Sequence, residues 1–289
     1  MMQPQILNRI APSFVYFIDH KMLARGNAFI NVQSGSLFSS SDPNYPNKKI
    51  YASPYRQFVA DNSINGANIP SGVLVGNSFN SKGSNGLAVD YDKGRILFNN
   101  NYNPVSVKCS YAYKEYNVYY NESQDEQLVF EAKYPVRPTD YSSEASNKGL
   151  LYDQLTYPAI FVKTQYNENF PFAFGGLDET QVDIRCIFLA DSTYLLDAGV
   201  SIASDLARTY FPILHPKDMP FNMYGDYKNN INYNYLNLCS QYSQTGSLMA
   251  LVDTVSISKF APSVNKMIGN NSFGAFADFT VKFIREPRI

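Results

Sequence analysis

Apolar and polar residues alternate with a period of two along much of this chain, which predicts strands. Leu87, Val89 and Tyr91 alternate with Ala88 and Asp90, and Ile96 and Phe98 resume the pattern after Asp92-Lys93-Gly94. That tripeptide predicts a tight turn, because glycine takes a positive φ without steric cost. After a loop at 99–104, Val105, Val107, Cys109, Tyr111 and Tyr113 share one face of a third strand. Upstream, residues 14–23 and 28–32 flank Ala24-Arg25-Gly26-Asn27 and read as a hairpin. The only helical signal before it is a short turn near 7–11. Residues 33–49, rich in Ser, Pro and Asn, read as an exposed loop. Short strands are predicted at 50–52, 57–60 and 72–75, a spacing that suits a sandwich or small barrel.

The pattern changes after Glu126. Strands are predicted at 128–134 and 159–165, separated by a polar stretch at 135–154 able to lie across a neighbour. A stronger strand spans 181–190, with Val182, Ile184, Cys186 and Phe188 on one face. Asp191-Ser192 then supplies a helix cap, and the helix is expected to run to about Thr209. Leu195, Gly199, Ile202, Ala203 and Leu206 form its apolar stripe. Two long strands close the chain at 251–261 and 273–285, the second alternating Phe273, Ala275, Ala277, Phe279, Val281 and Phe283 against Asp278, Thr280 and Lys282. The expected fold class is α+β in two domains. Residues 1–122 form a β-rich sandwich or barrel; 123–289 form a mostly antiparallel sheet with one main packed helix.

Composition narrows the function. The 289 residues include 23 Tyr and 20 Phe but no Trp, at 45% hydrophobic and 17% charged. Tyrosine suits half-buried sheet surfaces and interfaces where one end of a side chain stays wet. A formal net charge of −1 gives no standing grip on nucleic acid or anionic lipid. No signal peptide is expected, since Asp19, His20 and Lys21 end a short apolar run at 14–18. No stretch has the length of a transmembrane helix. Cys109, Cys186 and Cys239 are too few and too dispersed for a disulfide framework or a zinc site.

Candidate chemistries fail in turn. The two histidines, His20 and His215, stand apart from any metal-ligand cluster. Gly199-Val-Ser201-Ile-Ala203 matches a nucleophile elbow in letters, yet Ser201 falls mid-helix instead of at a strand-to-helix turn. Asp90-Tyr-Asp92-Lys-Gly94 begins like a calcium loop but lacks the later ligands. No glycine cluster precedes a helix as a phosphate cradle does. Asn121-Glu-Ser123 and Asn270-Asn-Ser272 match glycosylation acceptors that have no use without a signal peptide. The expectation is no enzyme, with no catalytic, cofactor-binding or metal site.

Positively, Val89-Asp-Tyr-Asp-Lys-Gly-Arg-Ile-Leu-Phe98, followed by the tyrosine-rich run from Tyr111 to Tyr120, resembles a phrase in an uncharacterised family of tailed-bacteriophage virion structural proteins. From Gln181 onward the order of elements is similar to that of tail terminators and neck proteins. The resemblance implies a homo-oligomeric ring, hexameric in that group, which caps the tail tube and joins it to the head connector. Its partners would be neighbouring copies, adjacent neck, connector and tube or sheath proteins, and phage DNA passing through the lumen, with no membrane involved. It would be assembled in the host cytoplasm into the virion. Asp178, Glu179 and Asp183 are the candidate lumen residues. The alternatives are a tail-fibre, baseplate or capsid-decoration protein, and a carbohydrate-binding β-rich module.

Overall fold

The alternating segments of the first half form one antiparallel sheet. Its strands are β1 (Phe29–Ser40), β2 (Lys48–Ala52), β3 (Gly72–Val75), β4 (Ser78–Ser81), β5 (Ala88–Asp90), β6 (Arg95–Asn99) and β7 (Val107–Lys114). Their order is β4-β3-β7-β1-β2-β6-β5. This is a computed structural model, and it describes residues 6–121, 156–171, 176–228, 232–245, 248–268 and 272–285. The strand expected at 128–134 and the polar arm at 135–154 lie outside the described residues, as does most of the boundary expected at 121–125. The second sheet contains β8 (Asn117–Tyr120), β9 (Ala159–Pro171), β10 (Asp178–Ala190), β11 (Tyr210–Pro212), β12 (Met249–Lys259) and β13 (Phe273–Arg285). Its order is β11-β12-β13-β10-β9-β8, and only the β8–β9 pairing is parallel. Both sheets are curled, and the fold is α+β and β-rich.

The helices are α1 (Ile6–Gly26), α2 (Thr193–Ser204), α3 (Tyr235–Gln244) and α4 (Pro262–Ile268). The hairpin expected at 14–32 is therefore corrected: residues 14–23 belong to α1, a helix of 21 residues. Phe14-Val-Tyr-Phe-Ile18 has the aromatic and β-branched composition of a strand. A helix buried on several sides shows no clean amphipathic stripe, so its period was hidden. Pro12 lies inside it and removes one intrahelical hydrogen bond, a cost of about 3 kcal/mol that packing must exceed. Phe14 and Phe17 face the second sheet, meeting Phe211 with ring centroids 5.5 and 5.1 Å apart, and Phe14 meets Phe279 at 4.9 Å. Leu23 packs the other way, with Val59, Ile64 and Ala112.

Because α1 sits between the sheets, one hydrophobic core runs from Val89, Ile96 and Phe98 through Ile10 and Phe14 to Ile184, Phe188 and Phe279. The two halves on either side of residue 122 share this core. α1 and β8 precede that residue in sequence, yet they pack on or pair within the second sheet. Two further corrections concern local structure. Residues 33–40 continue β1, with a bulge between Val32 and Gly35, so only 41–47 form the loop. Residues 57–60 are a buried segment outside any strand, joined to the first sheet by the bridge Phe58↔Tyr113.

Val105, read as part of the third strand, lies outside β7 and is fully exposed, whereas the turn reading at Gly94 matches the structure. Gly94 has φ +58°, and a Cβ there would lie 2.3 Å from the Tyr55 carbonyl oxygen. The hairpin's polar residues have a packing role that spacing did not reveal. Arg95 is buried between two buried carboxylates, with Nε 2.8 Å from Asp90 Oδ2 and a terminal nitrogen 2.8 Å from Asp42 Oδ2. Burial pushes the Asp90 carboxyl up, against the pull of Arg95. At Asp42 burial acts in the same sense, but the Asn44 N–H and Arg95 outweigh it and bring the carboxyl to about 2.

Ser192 caps α2 as expected, its Oγ accepting from the Leu195 N–H at 3.2 Å. The helix ends at Ser204 instead of Thr209. Its buried face is Leu196, Gly199, Val200 and Ala203, while Leu195 and Ile202 are only half-buried. A Cβ on Gly199 would stand 2.9 Å from the Tyr116 ring, so this glycine admits the close approach of β8's neighbour. Leu206, just beyond the helix, is fully buried, whereas Asp205 is exposed. Leu206→Ala is expected to lose about 2–5 kcal/mol in urea unfolding. Asp205→Asn should stay within about 0.5 kcal/mol of the parent; similar losses for both would show that this turn is not packed on the sheet.

Candidate functional site

Pro12, Val15, Tyr16 and Asp19 fall at i, i+3, i+4 and i+7 on α1, so they share one side of the helix. That side lines a cavity of about 350 Å3. Gln57, Asp92 at the β5–β6 turn, Lys114 at the end of β7, and Val118 to Tyr120 of β8 form the facing wall. Phe221 and Tyr233 complete it. A wider neighbouring cavity, about 520 Å3, shares Pro12 and Tyr120 with it, but all of its described lining residues are uncharged. The smaller cavity holds the concentration of polar chemistry.

Gln57 is the clamp between the two sheets. Its Nε2 donates to the Val118 carbonyl at 2.7 Å and to Asp92 Oδ1 at 2.9 Å, while Oε1 accepts from the Val118 N–H at 2.8 Å. One side-chain amide thus pairs with the β8 backbone as another strand would. Gln57 holds φ +37° to present it, a left-handed conformation uncommon outside glycine. Asp19 is 8% exposed, and its Oδ1 lies 2.7 Å from Lys114 Nζ. Burial pushes its carboxyl above the usual range, opposed by Lys114. Tyr16 is also pushed up, first by burial and then by the charges of Asp92 and Asp19.

His20, expected in a strand, is buried on α1 one residue from this wall. Its Nδ1 lies 2.8 Å from Asp61 Oδ2, and its ring stacks on Tyr235 with centroids 4.7 Å apart. Ser63 Oγ donates to Asp61 Oδ1 at 2.7 Å and lies 3.5 Å from the same histidine nitrogen. A nucleophile relay would place serine and carboxylate on opposite ring nitrogens, so this trio is not one. Its work is to join α1 to the segment at 61–63 and to the start of α3.

Burial alone would raise the Asp61 carboxyl. Bonds from His20, the Tyr235 and Ser63 N–H groups and the Ser63 hydroxyl outweigh it and hold the group low. A carboxyl lower when folded than unfolded stabilises above its unfolded pKa and loses that contribution as pH falls through the folded value. Urea midpoints measured from about pH 6 down to about pH 3 should therefore fall. The fall should be shallower in Asp61→Asn, which is less stable at neutral pH. An identical slope would assign the acid sensitivity to other carboxylates.

The remaining sequence candidates are dispersed. Ser201 is exposed in the middle of α2, its carbonyl accepting from the Asp205 N–H. His215 is exposed after β11, where its backbone N–H donates to the Tyr242 hydroxyl at 2.7 Å; no hydrogen bond joins it to Ser201. Asp90 and Asp92 diverge, one to Arg95 and the other to Gln57. Cys109 and Cys186 are buried strand residues, and burial pushes the Cys109 thiol up to about 12. Among the described residues no group of three His, Cys, Asp or Glu side chains could hold a metal ion. No helix among them is long and apolar enough to cross a membrane.

Sequence reasoning missed the cavity. Half of its signal was present, in the helical spacing of residues 12, 15, 16 and 19, but residues 15, 16 and 19 were read in a strand. Gln57, Lys114 and Tyr233 carry no local signal, since only folding brings them together. No protein-family model matches the chain, and neither does any curated protein sequence.

Proposed function

We propose that the chain is a structural subunit of a tailed-bacteriophage virion, forming a ring at the head–tail neck that caps the tail tube and joins it to the connector. The observation that carries this reading is a three-stranded ribbon at one end of the second sheet. Every residue of β9 from Thr164 to Pro171 is exposed, although the strand remains paired with β10 along this length. The register places Phe170, Glu179 and Ile284 in one cross-strand row, with Tyr166 beside Asp183 nearby. Phe170, Ile284 and Tyr166 are 41%, 43% and 54% exposed. Apolar and aromatic side chains displayed on an otherwise polar ribbon fit a subunit interface, where a ring needs two different complementary patches.

The same ribbon carries Asp178, Glu179 and Asp183, the acidic residues read as lumen-facing. Pleat alternation puts Glu179 and Asp183 on one face and Asp178 on the other. The near-neutral charge of the chain would let DNA slide, where a basic lining would hold phosphate. The hairpin that carries the virion resemblance supports the scaffold, because its Arg95 anchors the first sheet.

The test is location in the particle. Gold label directed to this protein in intact virions should mark the head–tail junction, and Phe170→Asp with Ile284→Lys should abolish incorporation while leaving the melting temperature unchanged. Label at the distal tail tip, or evenly over the capsid, would overturn the neck assignment in favour of a fibre, baseplate or decoration role.

A further inference from the structure

We infer that the cavity beside α1 binds an alkylammonium group, received by the carboxylate of Asp19 and the aromatic wall of Tyr16, Phe221 and Tyr233. Asp19 Oδ1 lies 2.7 Å from Lys114 Nζ as an ion pair, yet it is a buried oxygen without a hydrogen bond of good geometry among the described residues. Asp19 and Tyr233 are each more than nine-tenths buried. Buried polar groups are nearly always paired with protein, water or ligand, so this buried carboxylate oxygen has capacity for a further donor. The carboxylate and the hydroxyls of Tyr16 and Tyr233 on the same wall can all accept. An ammonium is the complementary group, with three donors and no acceptor.

Charge and shape select the same chemistry. Among the described lining residues, Asp19 and Asp92 face the one cation Lys114, leaving one excess negative charge. An anion would meet that excess unfavourably. The rings of Tyr16, Phe221 and Tyr233 have centroids 5.8 to 6.1 Å apart and form one continuous wall. Aromatic faces attract cations most strongly where water is scarce. The chain uses this contact elsewhere: Lys82 Nζ lies 4.2 Å from the Tyr227 ring centroid, and the Arg95 guanidinium 5.3 Å from that of Tyr45. The volume is within the range of small-ligand pockets. An ammonium of this kind comes either from a lysine side chain of a partner protein or from a free amine.

Calorimetric titration of the full chain separates these cases. The probes are n-butylammonium, the blocked peptide acetyl-Gly-Lys-Gly-amide, and n-butanol as a neutral isostere. At least one ammonium probe should bind about tenfold or more tighter than n-butanol. A tighter peptide identifies a partner's lysine; tighter n-butylammonium identifies a free amine. Asp19→Asn should weaken binding about tenfold, since it removes a charge-assisted acceptor. That substitution also strands Lys114, so Asp92→Asn and Tyr233→Phe serve as independent variants, with folding checked by circular dichroism. Each should weaken the ammonium probe severalfold. Equal affinity for n-butanol, no binding of either ammonium probe at millimolar concentration, or unchanged affinity in both independent variants would overturn the inference.

Discussion

Arg95→Met should destabilise the protein by about 3–5 kcal/mol at neutral pH, as read from urea unfolding followed by circular dichroism. The guanidinium is the common partner of Asp42 and Asp90, and all three side chains are nearly inaccessible to solvent. Removing it leaves two carboxylates in a low-dielectric site with reduced compensation, and they also repel each other. Lys93 Nζ, 3.3 Å from Asp42 Oδ2, supplies only a partial replacement. The expected signature is therefore coupling. Asp90→Asn introduced with Arg95→Met should recover part of the loss, because one of the stranded charges is gone. If Arg95→Met costs less than about 1 kcal/mol, the triad is solvated and the hairpin phrase is not an anchor.

Phe14→Ala should cost about 3–5 kcal/mol, the range for truncating a fully buried aromatic side chain. Phe14 is fully buried and meets Phe17, Phe211 and Phe279 with ring centroids between 4.9 and 5.5 Å away. Two of those partners belong to the second sheet, so the loss measures how firmly α1 ties the N-terminus to the C-terminal half. Tyr194→Ala on α2 is the control, since that ring is exposed and its removal should lie within about 0.5 kcal/mol. The unfolding transition of Phe14→Ala should stay single, because the core is continuous across both sheets. A biphasic transition, with the second half melting first, would mean that the halves fold as separate units after all.

Several elements were legible along the chain because local rules determine them. β3 and β13 have the bounds that alternation predicts, and β10 differs by only three residues at its start. Turn chemistry placed the β5–β6 hairpin, with Gly94 at positive φ, and side-chain capping placed the start of α2 at Ser192. In each case the determining contacts lie within a few residues. α1 was not legible, since its neighbours on the two sheets decide that Phe14-Val-Tyr-Phe-Ile18 is helical, overriding its strand-like composition. The face of α2 was displaced by one position for a related reason: Tyr116 and Phe188 determine where Gly199 sits.

The polar chemistry divides in the same way. Sequence by itself determined a β-rich α+β chain, its cleanest hairpin, the capped start of one helix and the dispersal of His and Cys. The tertiary structure alone decided that Arg95 joins Asp42 to Asp90, that His20 meets Asp61, and that Asp19, Gln57, Asp92 and Lys114 border one cavity. The physical reason is separation along the chain. Alternation, turns, caps and the cross-hairpin pair Asp90–Arg95 are set by near neighbours, whereas the buried charges of Asp42, Asp61 and Asp19 are tolerable only beside partners that folding brings from far along the chain.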